Sequence, residues 1–274
     1  QGPVVTPPAP VQGQGPGTGP SGAPARFGYW LLDSLGTIRA FGDAPAMGDP
    51  APYLNGAAAV DLVPTPTGKG YWVLDSRGKI YNFGEPLLFG VDPPPATAGR
   101  VVSLSSTPSG KGCWIFTDRG AAFAYGDAPN LGDLSGKRLN APVLDSVATP
   151  TGRGYYMVAA DGGIFAFGDA QFEGSMGGRH LNSPVQSLVP DPDGDGYWLV
   201  AADGGIFAFN APFRGSMGGT RLNKPVTGMI AYGDGYLMVA QDGGIFDFSD
   251  RPFSGSLGST PPPRPVVAVA AIPG

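Results

Sequence analysis

Five recurring acidic residues and one short loop are the parts of this chain whose types and spacing suit chemistry. The loop is Asp191-Pro192-Asp193-Gly194-Asp195-Gly196. Asp191, Asp193 and Asp195 fall at the first, third and fifth positions of a calcium loop with glycine sixth, and calcium favours clustered carboxylate oxygens. The twelfth position is Ala202, where such a loop has glutamate, and the matching segments elsewhere read TPTGKG, TPSGKG and TPTGRG without a carboxylate. The competing reading is a solvated hairpin turn. The five acids are Asp43, Glu85, Asp127, Asp169 and Asp250, which recur at equivalent places along the chain. They form either a ring that binds cations or a basic partner, or a set of side chains that cap their own turns.

Other chemistry has little to work with. His180 is the only histidine, so a nucleophile–base pair exists only around it and a histidine-rich zinc site is excluded. Cys113 is the only cysteine, so there is no intrachain disulfide, and a lone cysteine behaves as a small buried hydrophobe. Glycosidase chemistry needs two carboxyl groups facing one cleft. The recurring acids could supply them, but catalytic groups on a repeat scaffold usually sit on unequal copies, whereas the last three copies here are nearly uniform. We therefore expect no enzyme and, apart from calcium, no cofactor.

The elements that would position these residues are repeats. Gly28-Tyr29-Trp30, Gly70-Tyr71-Trp72, Gly112-Cys113-Trp114, Gly154-Tyr155-Tyr156, Gly196-Tyr197-Trp198 and Gly235-Tyr236-Leu237 follow one another at steps of 42, 42, 42, 42 and 39 residues. That period suits propeller blades or helical solenoids. Each copy has an apolar run, a Pro/Gly turn, two apolar runs joined by a tight turn (Asp203-Gly204 in "GYWLVAADGGIFAF") and a glycine-rich stretch. Asp-Gly between β-rich runs signals a hairpin, because the turn needs positive φ. No stretch of helical periodicity is free of Gly and Pro. The spacing thus predicts antiparallel units of three firm strands and a short fourth. The runs YWLVA and IFAF are apolar on both faces, as in sheets covered on both sides.

Closure is predicted by counting. Six apolar strands of the kind that precedes a Gly-aromatic strand begin near Val60, Val101, Val143, Val185, Val226 and Val266. The Gly28 strand has none before it, and the Val266 strand has no Gly-aromatic strand after it. Pairing the two orphans closes a ring of six blades and leaves no bare edge. The fold expected is all-β: a six-bladed β-propeller over 27–274, closed by the C-terminal strand, preceded by a Pro/Gly-rich extended arm over 1–26.

The phrase "GYWLVAADGGIFAFGDA…F.GSMGG..LN.PV" resembles a repeat found in many secreted bacterial proteins, often beside enzymatic domains, and expected to form propellers. The resemblance covers roughly 27–274 and is clearest over 154–258. "DGGIFAFGDAQFEGSMG" is also distantly similar to the RCC1-like propeller repeat, with Gly174-Ser175-Met176-Gly177 in the place of its Gly-Gln-Leu-Gly-like phrase. These resemblances imply the fold and an extracellular setting, and transfer no specific function.

Composition narrows the partners. The chain has 274 residues, 46 Gly, 31 Pro, 42% hydrophobic residues and only 14% charged ones, with net charge -5. This acidity, with a pI near 4.7, disfavours nucleic acid. No apolar run reaches the roughly 20 residues of a membrane-spanning helix, so membrane insertion is not expected. The start at Gln1 fits a processed or excised product, such as one freed of an export signal. The arm "QGPVVTPPAPVQGQGPGTGPSGAPAR" is either a tether or a segment that docks on a neighbour. Its "PVV" (3–5) echoes "PVV" (265–267), which suits strand addition. The function expected is a non-catalytic secreted or cell-surface binding or structural module that engages protein partners or copies of itself through the arm. The alternatives are a lectin whose Tyr29, Tyr71, Tyr155, Tyr197 and Tyr236 line glycan-binding clefts, an inhibitor or receptor module, and, last, a carboxylate glycosidase.

Overall fold

The computed structural model describes residues 26–85, 91–192 and 196–273. Its strands make six three-stranded antiparallel sheets, each an inner, a middle and an outer strand. Blade 1 is completed by the C-terminal strand: β18 (Val266–Ala271) is its inner strand, β1 (Gly28–Asp33) its middle and β2 (Ile38–Gly42) its outer strand. Tyr29 faces Ala271 and Leu32 faces Ala268 across this joint, so the ring closes as the count of strands predicts. Blade 2 is β3 (Ala59–Pro64), β4 (Gly70–Asp75) and β5 (Ile80–Gly84), and blade 3 is β6 (Val101–Ser106), β7 (Gly112–Thr117) and β8 (Ala122–Gly126). Blade 4 is β9 (Val143–Ala148), β10 (Gly154–Ala159) and β11 (Ile164–Gly168). Blade 5 is β12 (Val185–Pro190), β13 (Tyr197–Ala201) and β14 (Ile206–Phe209), and blade 6 is β15 (Val226–Tyr232), β16 (Gly235–Ala240) and β17 (Ile245–Phe248). Each inner strand lies beside the inner strands of both neighbouring blades, so the six encircle an axis. The molecule is a six-bladed β-propeller.

Sequence explains the three roles. Every residue of the middle strands is buried, which is why they read as unbroken apolar runs: each sheet is sandwiched between two others. The core is six inter-blade clusters, such as Trp198, Val200, Val226, Met229, Tyr236 and Met238 between blades 5 and 6. The outer strands depart from expectation. IFAF in blade 5 is only half-buried, because an outer strand has one free edge and its rings cover the rim of the middle strand instead.

The short fourth strand does not form among the described residues. Its place is taken by an irregular connector that descends between blades. The glycine that was to lie in that strand has φ of 140° at Gly174, 133° at Gly215 and 123° at Gly255, far from extended backbone. A Cβ at Gly174 would lie 2.4 Å from a ring carbon of Phe209, so the connector approaches the next blade as only glycine allows.

Candidate functional site

Two features stand out from the scaffold: a polar arc in the central channel and a row of exposed rings on the rim. Both follow from how equivalent positions of the repeat are decorated.

The channel has a volume of about 530 Å³ and is lined by the inner strands. Each inner strand carries a bulge at its second residue, seen as a register shift beside Val60, Val102, Leu144, Gln186, Thr227 and Val267. A bulge removes one amide from the ladder. The residue after it is Asp61, Ser103, Asp145, Ser187, Gly228 and Ala268 in blades 2, 3, 4, 5, 6 and 1. The two aspartates take up the freed amides. Asp61 accepts hydrogen bonds from Leu62 N at 2.8 Å and, in the next blade, from Leu104 N at 2.8 Å. Asp145 accepts from Ser146 N at 2.8 Å and, in the next blade, from Leu188 N at 3.3 Å and Ser187 Oγ at 2.6 Å. Ser103 and Ser146, with hydroxyls 2.8 Å apart, join blades 3 and 4 between these clips.

The channel lining contains no lysine, arginine or histidine, so neither carboxylate has a counter-ion there. Both are deep within protein and open to water only along the channel. Loss of hydration pushes Asp61 up to about 6, with the Asp145 charge adding to the rise. Asp145 is raised as well, again by burial first. Burial also pushes the Cys113 thiol up to about 12, as suits a cysteine inside an apolar strand.

The acid ring is accounted for one blade at a time. Asp169 accepts from Thr149 Oγ1 at 2.8 Å and Thr151 Oγ1 at 2.5 Å, both in the turn before its own middle strand. Asp127 accepts from Thr107 Oγ1 at 2.8 Å and Ser109 Oγ at 2.5 Å in the same way. These hydroxyls hold both carboxyls below the usual carboxylate range. Glu85 accepts from Thr67 Oγ1, Asp43 from Phe27 N at 3.0 Å, and Asp250 from Asp234 N at 3.1 Å. The five recur around one face, and each ties the end of an outer strand to its own blade. Of the calcium loop, Asp193 and Asp195 lie outside the described residues. Asp191 is buried, and its amide bonds to Gly196 O at 3.0 Å. No group of three metal-ligating side chains occurs among the described residues. His180 is exposed.

The repeated tyrosines are buried, with 0–1% of their surface exposed, so they line no open cleft. Each instead hooks the connector of the preceding blade. The hydroxyls of Tyr29, Tyr71, Tyr155, Tyr197 and Tyr236 donate to the carbonyls of Gly255, Gly48, Gly132, Gly174 and Gly215. Two of these hydroxyls also accept: Tyr197 from Gly174 N at 3.0 Å, and Tyr236 from Arg214 N at 3.1 Å.

A second anchor grips the start of the connector from its own blade. Trp30, Trp114 and Trp198 donate Nε1–H to Pro45 O, Pro129 O and Pro212 O at 2.8, 2.9 and 2.8 Å, and Tyr156 Oη reaches Gln171 O at 2.8 Å. The residue just after this first anchor is Phe172 in blade 4 and Phe213 in blade 5, and Phe253 holds the same place in blade 6. The anchors precede Phe172 and Phe213 directly, whereas blade 6 has Leu237 in the anchoring place. Phe172, Phe213 and Phe253 are 59%, 62% and 58% exposed. Blades 1 and 3 have Ala46 and Asn130 there, so among the described connectors the rings stand on the three consecutive blades 4 to 6. Neither the row nor the channel aspartates figured among the candidates read from sequence. Aligning the inner strands position by position shows Asp61 and Asp145 as charges in apolar runs, and aligning the connectors shows the phenylalanines.

No protein-family model matches the chain. No curated protein matches it either. Among solved structures, it is similar to a chain in the crystal structure of a nidogen/laminin complex, at 12% identity and a TM-score of 0.62, over 90% of this chain and 98% of that one. It is also similar to a structural genomics protein of unknown function from Bacteroides thetaiotaomicron, at 10% identity and a TM-score of 0.48, over 79% and 68% of the two chains. The first likeness is one of fold. No helix among the described residues is long and apolar enough to cross a membrane.

Proposed function

We propose that this propeller is a non-catalytic, extracellular binding or structural module that takes a protein partner on the rim of blades 4 to 6. The observation that carries the reading is the row Phe172, Phe213 and Phe253: three large apolar rings, each more than half exposed, repeated on adjacent blades and absent from the described connectors of blades 1 and 3. Exposed aromatic side chains on anchored backbone lose little entropy on docking and are typical of interface centres. The reading is supported by the fold it shares with a chain from a structure titled as a protein–protein complex. It is also supported by the use of the ring acids as turn ties, which leaves them poorly placed as acid–base pairs. No observation favours a glycan.

The test begins with p-benzoylphenylalanine placed at Phe213, and at the exposed Tyr53 of blade 1 as a control, to capture a partner from the native extracellular fraction. The captured protein is then purified and titrated against the chain and against its Phe172→Ser/Phe213→Ser/Phe253→Ser variant. The reading expects binding to weaken at least tenfold in the triple variant. Equal capture at both positions, or equal affinity of the two proteins, would overturn it.

A further inference from the structure

The rim reading leaves open what covers the row when no partner is bound, and the exit point of the preceding segment supplies a candidate. Arg26 and Phe27 are fixed against blade 1, where Arg26 Nη2 donates to Asp43 O at 3.0 Å and Phe27 N donates to the Asp43 carboxylate at 3.0 Å. The guanidinium of Arg251, from blade 6, sits 4.8 Å above the Phe27 ring. Arg251 is two residues from Phe253, and Ser254 lies where a side chain on Gly42 of blade 1 would have to go. The described chain therefore begins at the joint of blades 1 and 6, where Phe27 meets Arg251, two residues from Phe253.

The composition of that segment matches such a surface. Residues 1–25 contain no charged side chain, so laying them on apolar rings strips no charge of water. Pro3, Pro7, Pro8 and Pro10, with Val4, Val5 and Val11, make an apolar head, and 12–25 are mostly Gly, Pro, Ser and Ala. Proline-rich segments dock on aromatic surfaces in the extended polyproline conformation, which is already favoured in the free chain and so costs little to order. Reach also fits. A linker of the length of 12–25 has a root-mean-square span of roughly 20 Å. The head, at about 3.1 Å per residue, covers roughly 28 Å. A globule the size of this propeller has a radius of roughly 23 Å, which puts equivalent rim positions of adjacent blades roughly 20 Å apart. The head can bridge two of the three rings.

We propose that the Pro-rich head, residues 3–11, docks in cis across Phe213 and Phe172. The proposal rests on the rim being a docking surface and adds its resident occupant. Attachment a short linker away raises the local concentration of the head to about the millimolar range, so weak contacts suffice.

The test uses the full chain with p-benzoylphenylalanine introduced at Ala9, irradiated across a hundredfold range of protein concentration, with products mapped by mass spectrometry. The expected result is cross-links concentrated on peptides bearing Phe172 and Phe213, at a yield independent of concentration. That yield should fall at least fivefold in Phe172→Ser/Phe213→Ser. Both rings are exposed, so the variant's Tm should match that of the parent. Cross-links scattered over the surface, or a yield untouched by the serines, overturn the proposal. A yield that rises with concentration assigns the head to a second copy and overturns docking in cis. If the arm fails this test while the triple variant still loses its purified partner, the rim reading survives alone. If partner binding is also unaffected, both fall.

Discussion

Raising the pH through the mildly acidic range should destabilise this propeller, opposite to the trend of most proteins. The cause is Asp61, raised from 3.8 to about 6 by burial in a channel without a basic residue. In the folded state the carboxyl holds its proton through a range where the unfolded chain has released it. Stability falls with pH wherever the folded state binds more protons. The contribution is therefore fully present below pH 3.8 and is lost as pH rises to about 6. At about 1.4 kcal/mol per pH unit, that interval is worth about 3 kcal/mol, an upper bound because channel water screens the charge. Asp145 and Asp247 are raised too and act in the same direction. Asp127 and Asp169 are lowered, so their contribution is present above pH 3.8 and is lost only in stronger acid. The assay is urea unfolding followed by tryptophan fluorescence at half-unit steps from about pH 4.5 to 7, for the parent and for Asp61→Asn. The parent's unfolding free energy should fall across this range, and the slope should flatten in the variant. Asparagine keeps the shape but offers one acceptor oxygen to Leu62 N and Leu104 N, so its absolute stability drops by about 1 kcal/mol for the lost bond. For that reason the slope is the diagnostic. A parent stability that is level or rising over this range, or an Asp61 carboxyl carbon titrating near 4 by NMR, would refute the reasoning.

Two further outcomes test the scaffold. Tyr236→Phe removes the hydroxyl that donates to Gly215 O at 2.6 Å and accepts from Arg214 N at 3.1 Å. The cost should be about 1–3 kcal/mol for the unsatisfied backbone groups, read from urea midpoints at constant m-value. Deleting 265–274 removes β18 with Val266 and Val269, bares one edge of β1 and exposes their cluster partners Leu31, Leu237 and Val239. It should cost about 5 kcal/mol or more by lost apolar burial, and a truncated protein as stable as the parent would contradict closure through blade 1.

The architecture was legible because it depends on repetition. Six evenly spaced Gly-aromatic phrases, with one strand missing at each end of the array, leave little choice but a ring closed by the C-terminal strand, and the pairing of Tyr29 with Ala271 is that closure. The fourth strand was misread because glycine-rich sequence does not reveal the sign of φ. Gly174, Gly215 and Gly255 adopt conformations that break a strand, and only the approach of Phe209, Phe248 and Phe41 shows why. The site was harder to see for a different reason. Uniformity draws the eye to residues every blade shares, and shared residues here build the ring: the tyrosines hook connectors and the recurring acids tie turns. Asp61 and Asp145 differ from their counterparts Gly228 and Ala268, and Phe172, Phe213 and Phe253 differ from Ala46 and Asn130. In a repeat protein the scaffold is written in what the copies have in common. A surface that distinguishes one side of the ring from the other has to be written in the positions where they disagree.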